Sequence, residues 1–221
     1  MTTFAIVGAG RGLGAATARR FGQQGFDVAL LSRSQENVDA LAEELTAEGI
    51  PARGFPADVR NAASLTAALD QAAGTLGPVE VVQYSPIPQR EFLRPVLETT
   101  PDDLAGALEF SVHGPIAAVN QLLPGMRALG RGTVLFVNGG SAARPNARVA
   151  GTSIAFAGES AYAQMLHEVL ADEGIHVGQL IIPGAITPGH PRTDPAVPPD
   201  TRWAMHTEGG GFRRFADDLD A

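Results

Sequence analysis

Short apolar runs recur along the chain at Phe4 to Val7, Val28 to Leu31, Val79 to Val82, Thr133 to Val137 and His176 to Ile182. Between them lie longer alanine-rich stretches, at Leu13 to Gln24, Gln35 to Glu48, Ala62 to Ala73, Pro101 to Leu129 and Ser153 to Glu173, in which apolar residues return every three or four positions. The runs predict buried strands and the stretches predict helices with one buried face. Strands alternating with helices, each strand apolar almost throughout, imply a parallel sheet covered on both faces, because right-handed crossovers place helices there. The expected fold class is α/β, a Rossmann-like doubly wound parallel sheet in a single domain. Residues 1–187 form its regular part. In residues 188–221 the cluster Pro188, Pro191, Pro195, Pro198 and Pro199 predicts a loop on the substrate side, because proline cannot continue a helix or a central strand. A short helix at Asp200 to His206 and an edge strand at Phe212 to Phe215 are expected after it.

Composition narrows the class of function. A chain of 221 residues suits one domain that buries roughly 70% of its unfolded surface. Its formal charge of -8 repels phosphate backbones and anionic bilayers, so the expected partners are small molecules rather than nucleic acid or membrane. With no cysteine, disulfides, thiolate metal sites and cysteine nucleophiles are all excluded. The start Met1-Thr2-Thr3 runs directly into a strand-like segment, which predicts a cytoplasmic location. The five histidines show no paired metal-ligand spacing, and no G-x-S-x-G elbow surrounds Ser141.

The first strand ends in Val7-Gly8-Ala9-Gly10-Arg11-Gly12-Leu13-Gly14, and a helix follows at once. Glycines there permit positive φ and let backbone N–H groups approach a pyrophosphate, which the helix N-terminus attracts. The strict G-x-G-x-x-G spacing fails at Leu13, but Gly8, Gly12 and Gly14 meet the looser G-x-x-x-G-x-G. A tight turn without a ligand is the alternative. The second strand ends in Leu31-Ser32-Arg33-Ser34, with no carboxylate before Glu36 to accept from a ribose 2′-hydroxyl. Arg33, with Arg11 from the glycine loop, suits a 2′-phosphate, so NADP(H) is favoured over NAD(H). Two solvated surface arginines are the plainer alternative.

The glycine loop, Arg33, Asp58-Val59 after the third strand and Pro183-Gly184 after the sixth together resemble the short-chain dehydrogenase/reductase family, from Thr3 to about Thr187. The resemblance implies that Asp58 meets the adenine amino group and the backbone at Val59 its ring, while Pro183, Gly184 and Thr187 hold the nicotinamide. The family's Asn-Asn-Ala-Gly reads Gln83-Tyr84-Ser85-Pro86 here. Such enzymes use a serine, a Tyr-x-x-x-Lys pair and an asparagine. Alignment puts Ser141 at the serine, Thr152 at the tyrosine, Phe156 at the lysine and Ser111 at the asparagine. A shift of two gives Ile154 and Gly158, and the chain contains no lysine in any register.

Two other proton donors are candidates. Tyr84 follows the fourth strand at the edge where ligands bind, and His113 titrates near neutrality; the alternatives are a packing tyrosine and a structural or solvated histidine. Two functions follow: an NADP(H)-dependent reductase or dehydrogenase of a small carbonyl or alcohol, with Ser141 orienting the oxygen and Tyr84, His113, water or substrate supplying the proton, or an inactive protein of the same fold that binds NADP(H) or a small ligand as a sensor. The resemblance also implies a homodimer or homotetramer through helices 101–129 and 153–173.

Overall fold

A computed structural model describes residues 2–184 and 198–219. Seven strands lie in one parallel sheet: β1 (Thr3–Val7), β2 (Asp27–Ser32), β3 (Ala52–Pro56), β4 (Val79–Tyr84), β5 (Gly132–Gly139), β6 (Ile175–Ile182) and β7 (Arg213–Phe215), in the order β3-β2-β1-β4-β5-β6-β7. The order runs down from β3 to β1 and then up from β4, so the chain winds both ways from the β1–β4 junction, the point at which such sheets bind ligands. Alternate residues of a strand serve opposite faces. Ala5 and Val7 of β1 join a core with α3 (Ala62–Leu76), α5 (Gly114–Leu129) and α6 (Ala150–Leu170); Phe4 and Ile6 join a second core with α1 (Leu13–Gly22), α2 (Gln35–Ala47) and α7 (Pro198–Glu208). The doubly wound expectation is met.

Two elements depart from the sequence pattern. No apolar run announces β3, whose sequence is Ala-Arg-Gly-Phe-Pro; as an edge strand it buries Gly54 and Phe55 while Arg53 faces outward. The helix expected over 101–129 is interrupted. α4 (Pro101–Leu108) ends in a π-helical turn, Glu109–His113, before α5 begins. Pro115 has no N–H for the α-helical bond to Ser111, and its ring would press on that turn, so the local widening has a cause in the sequence.

The expected C-terminal helix and edge strand are present as α7 and β7. Trp203 docks α7, with its ring 5.1 Å from Phe21 and the Arg20 guanidinium 4.9 Å over it, while Asp200 pairs with Arg20 at 2.7 Å. Arg202 beside it is fully buried with no hydrogen-bond partner for its guanidinium among the described residues, and burial pulls its pKa down to about 9. No helix among the described residues is long and apolar enough to cross a membrane.

Candidate functional site

Two cavities open along the carboxyl edge of the sheet at the β1–β4 junction. One, of about 340 Å³, is bounded by Gly8, Gly10, Arg33, Asp58, Val59 and Pro86. The other, of about 410 Å³, is bounded by Leu13, Ser141, Thr152, Phe156, Ile182 and Gly184. Pro86 and Ile87 line both, so the loop after β4 forms the ridge between them.

The glycine loop has the chemistry of an anion cradle. Ser34, Asn61 and Thr100 cap α2, α3 and α4 with their side chains, but α1 starts at Gly12 with no side-chain cap; the Ala15 N–H donates to the Gly10 carbonyl at 2.9 Å, and the N–H groups of Leu13 and Gly14 are left available. A β-carbon built on Gly10 or Gly12 would meet nothing within 4 Å, so the loop presents bare backbone. Gly8 is different. Its φ is +92°, and a β-carbon there would press on Pro86 and come within 2.7 Å of the Ser85 carbonyl carbon. Gly14 packs the helix against the loop, since its β-carbon would lie 3.3 Å from the Ala9 Cα. These features fit a dinucleotide with its diphosphate over the start of α1. Gly8→Ala should therefore cost about 1–3 kcal/mol through backbone strain alone, plus displacement of Pro86. Chemical denaturation checks it, and an unchanged midpoint counts against the close approach.

Around the first cavity, Arg33 lies exposed beside Ser34 and Asn37. Arg11 does not join it. Its guanidinium pairs with Glu44 of α2 at 3.1 Å and lines neither cavity, because α2 offers a carboxylate within reach. Asp58 is set by its own turn: its backbone N–H donates to the Ser64 hydroxyl at 3.2 Å, and its Oδ1 accepts from the Arg60 N–H at 3.0 Å.

The second cavity brings together Ser141, Thr152 and Phe156. Ser141 sits in a single 3₁₀ turn after β5, and its hydroxyl has no hydrogen-bond partner among the described residues. Thr152 and Phe156, four apart on α6, share a face; the Thr152 hydroxyl donates to the Val149 carbonyl at 3.0 Å, and Phe156 packs with Ala142 and Ile181. No Asp, Glu, His, Tyr or Arg side chain lines this cavity among the described residues.

The structure removes both proposed proton donors from it. Tyr84 alternates onto the same sheet face as Val82, is 3% exposed, and donates its hydroxyl to the Phe110 carbonyl in the π turn. Burial, with the Glu159 and Asp58 carboxylates adding to it, raises its pKa well above the ordinary phenol value, so Tyr84 is a packing residue and not an acid facing the cleft. His113 ends the π turn exposed to solvent and lines neither cavity; Ser111 is buried in the same turn and lines neither. Pro183 also lines neither, standing behind Gly140, whereas Gly184 with φ +71° forms part of the cavity wall. Thr187 lies outside the described residues.

A buried polar chain was not anticipated. The Asn138 side-chain amide donates to Glu159 at 3.1 Å and its oxygen accepts from Gln179 at 2.8 Å; Gln179 also donates to Ser160 at 2.6 Å and accepts from Arg213 at 2.8 Å. Glu159 is 1% exposed, and burial pushes its pKa up to about 8 against the opposing effect of the Asn138 hydrogen bond. The signal was present, because 152, 155, 156, 159, 160 and 163 fall on one helical face and one of them is a glutamate.

A profile of the short chain dehydrogenase family matches residues 2–195. The 3-dehydrosphinganine reductase of Arabidopsis thaliana is 29% identical over 83% of this chain and 55% of its own length; the chain spans about half the length of the curated relatives it matches first. A short-chain dehydrogenase from Rhodopseudomonas palustris superposes with a TM-score of 0.85 over 98% of both chains at 26% identity. A metagenomic short-chain oxidoreductase solved in complex with NADP superposes at 0.83 over 96% of both, at 21% identity.

Proposed function

The chain belongs to the short-chain dehydrogenase family, and from that premise we propose that it binds NADP(H) and holds a small carbonyl or alcohol compound beside Ser141, as an oxidoreductase that draws its proton from water or substrate. One observation carries the reading: the glycine loop with its uncapped helix opens beside a cavity that, among the described residues, has a free serine hydroxyl and no side-chain acid. When bound, NADP(H) supplies or accepts the hydride. Backbone N–H groups of residues 10–14 are assigned to its diphosphate, Arg33 to its 2′-phosphate, Asp58 and Val59 to adenine, and Gly184 to the nicotinamide side. The Ser141 hydroxyl is free to donate to a carbonyl oxygen. Thr152 already donates to Val149, so toward a ligand it acts only as an acceptor.

The inactive alternative also has an observation in its favour. Phe156 stands where the family's lysine is expected, so neither cation nor phenol is at hand among the described lining residues to tune proton transfer, a contribution of about 10²–10⁴ in rate. Titration with NADPH and NADH by fluorescence, followed by 340 nm absorbance with carbonyl compounds, separates the two. No nucleotide binding ends both; binding without turnover leaves the sensor. Turnover in Tyr84→Phe and His113→Ala should match the unsubstituted protein.

Cofactor preference gives a sharper result. Arg33→Ala should weaken NADPH about tenfold or more, the loss of one charge-assisted contact, and leave NADH unchanged. An equal loss for both rejects the 2′-phosphate role. Self-association through the helices of 101–129, α4 and α5, and through α6 is proposed on the same family premise: α6 leaves Ile154, Met165 and Val169 exposed along its outer side.

A further inference from the structure

We infer that the second cavity takes an uncharged ligand with an aliphatic body, a carbonyl or alcohol group at one end and a chain that leaves over Ile87 and Leu93. This deepens the proposed function and rests on its assignment of the cavity as the substrate site. The argument begins with the walls: Leu13, Pro88, Val137, Val149, Phe156 and Ile182 supply apolar surface, and no charged side chain lines the cavity among the described residues. The polar atoms nearby are mostly committed. Asn138 is spent on Glu159 and Gln179, Ser85 accepts from the Gln83 amide at 2.7 Å, and the Thr152 hydroxyl is directed at Val149. Among the described residues the Ser141 hydroxyl has no partner, and the Ser85 hydroxyl, which only accepts, keeps its proton to donate.

A site whose free donors are neutral hydroxyls, with no cation among the described lining residues, recognises an uncharged oxygen. A carboxylate, a phosphate or a polyhydroxylated chain entering here would give up its hydration with nothing to replace it, which is unfavourable by several kcal/mol for an ion. An aliphatic chain would gain from the same desolvation. The exit strengthens the case. Ile87 is 86% exposed and Leu93 44% exposed although both line the cavity, and Val96 and Leu97, further along the same connection, are 52% and 96% exposed. Isolated exposed apolar residues need no explanation, but four on one connection, two of them in a cavity wall, mark a path for an apolar ligand.

The test uses the uncharged polarity-sensitive dye Nile red, displaced by straight-chain alcohols from 1-butanol to 1-decanol, by decanoate and by D-glucitol. Affinity should rise about threefold to fourfold for each added methylene. Decanoate should bind at least tenfold more weakly than 1-decanol, and glucitol should displace nothing. Leu93→Asp should weaken 1-decanol at least tenfold. Leu97→Asp, at a fully solvated position, should weaken 1-decanol and leave 1-butanol unchanged, a contrast that unfolding would not produce. No saturable dye binding, affinities flat with chain length, or decanoate equal to decanol overturns the inference. NADPH fluorescence on the same samples reads the cofactor separately: its failure beside intact displacement sinks the proposed function alone, and the converse sinks the ligand class alone.

Discussion

Thr152→Tyr combined with Phe156→Lys is expected to raise NADPH-dependent carbonyl reduction by about two to four orders of magnitude, the range a positioned acid contributes. Both positions line the second cavity, and their separation of four on α6 places them on one face, so a phenol and an ammonium would stand beside Ser141. Neither substitution suffices alone. A tyrosine without a neighbouring cation keeps its proton near its ordinary value, and a lysine without the phenol has no acid to tune. The double variant carries a cost in stability, because Phe156 now packs with Ala142 and Ile181, and an ammonium there must be hydrated or paired with bound cofactor. Rates are read at 340 nm across pH, with NADPH binding and thermal unfolding measured on the same protein. A folded, NADPH-binding double variant with unchanged rates would show that this cavity is not where the carbonyl meets the nicotinamide.

The sheet was legible because its central strands are buried on both faces and leave runs such as Phe4 to Val7. The edge strand β3 was not, because Arg53 and Pro56 face solvent and break the run. Side-chain direction was the harder quantity. Tyr84 sits at the right edge of the sheet for a catalytic role, but a strand alternates, and one residue decides whether a phenol faces the cleft or α5. The π turn that accepts its hydroxyl depends on Pro115, a local signal visible only once the helix is known to pass over β4. Arg11 turned on a competition of the same kind, since Glu44 lies a helix away in sequence and next to it in space. The missing lysine was the opposite case. Composition alone gives a sequence without lysine, and the fold places Thr152 and Phe156, the residues the alignment sets against that pair, on the wall of one cavity.

Glu159→Gln is expected to stabilise the protein at pH 8 and above by on the order of 3–5 kcal/mol and to do nothing near pH 4.5. The sign follows from linkage. With its pKa raised from 4.5 to about 8, Glu159 is protonated in the folded chain across a window in which the unfolded chain has released that proton. The folded state then binds more protons, so stability falls as pH rises through the window, by up to about 1.4 kcal/mol per unit. Glutamine keeps an oxygen for the Asn138 amide and cannot ionise, which removes the dependence without emptying the site. His176 and His206 act at the other end: burial lowers both pKa values, so their neutral forms support the fold above 6.5 and that support is lost as pH drops below it. Their effect is common to both proteins and cancels in the difference. Thermal unfolding of the pair from pH 4.5 to 9 should give a difference that is near zero at the acid end, grows through neutrality and levels off above 8. A difference independent of pH would mean that Glu159 ionises in the folded protein as it does in the unfolded chain.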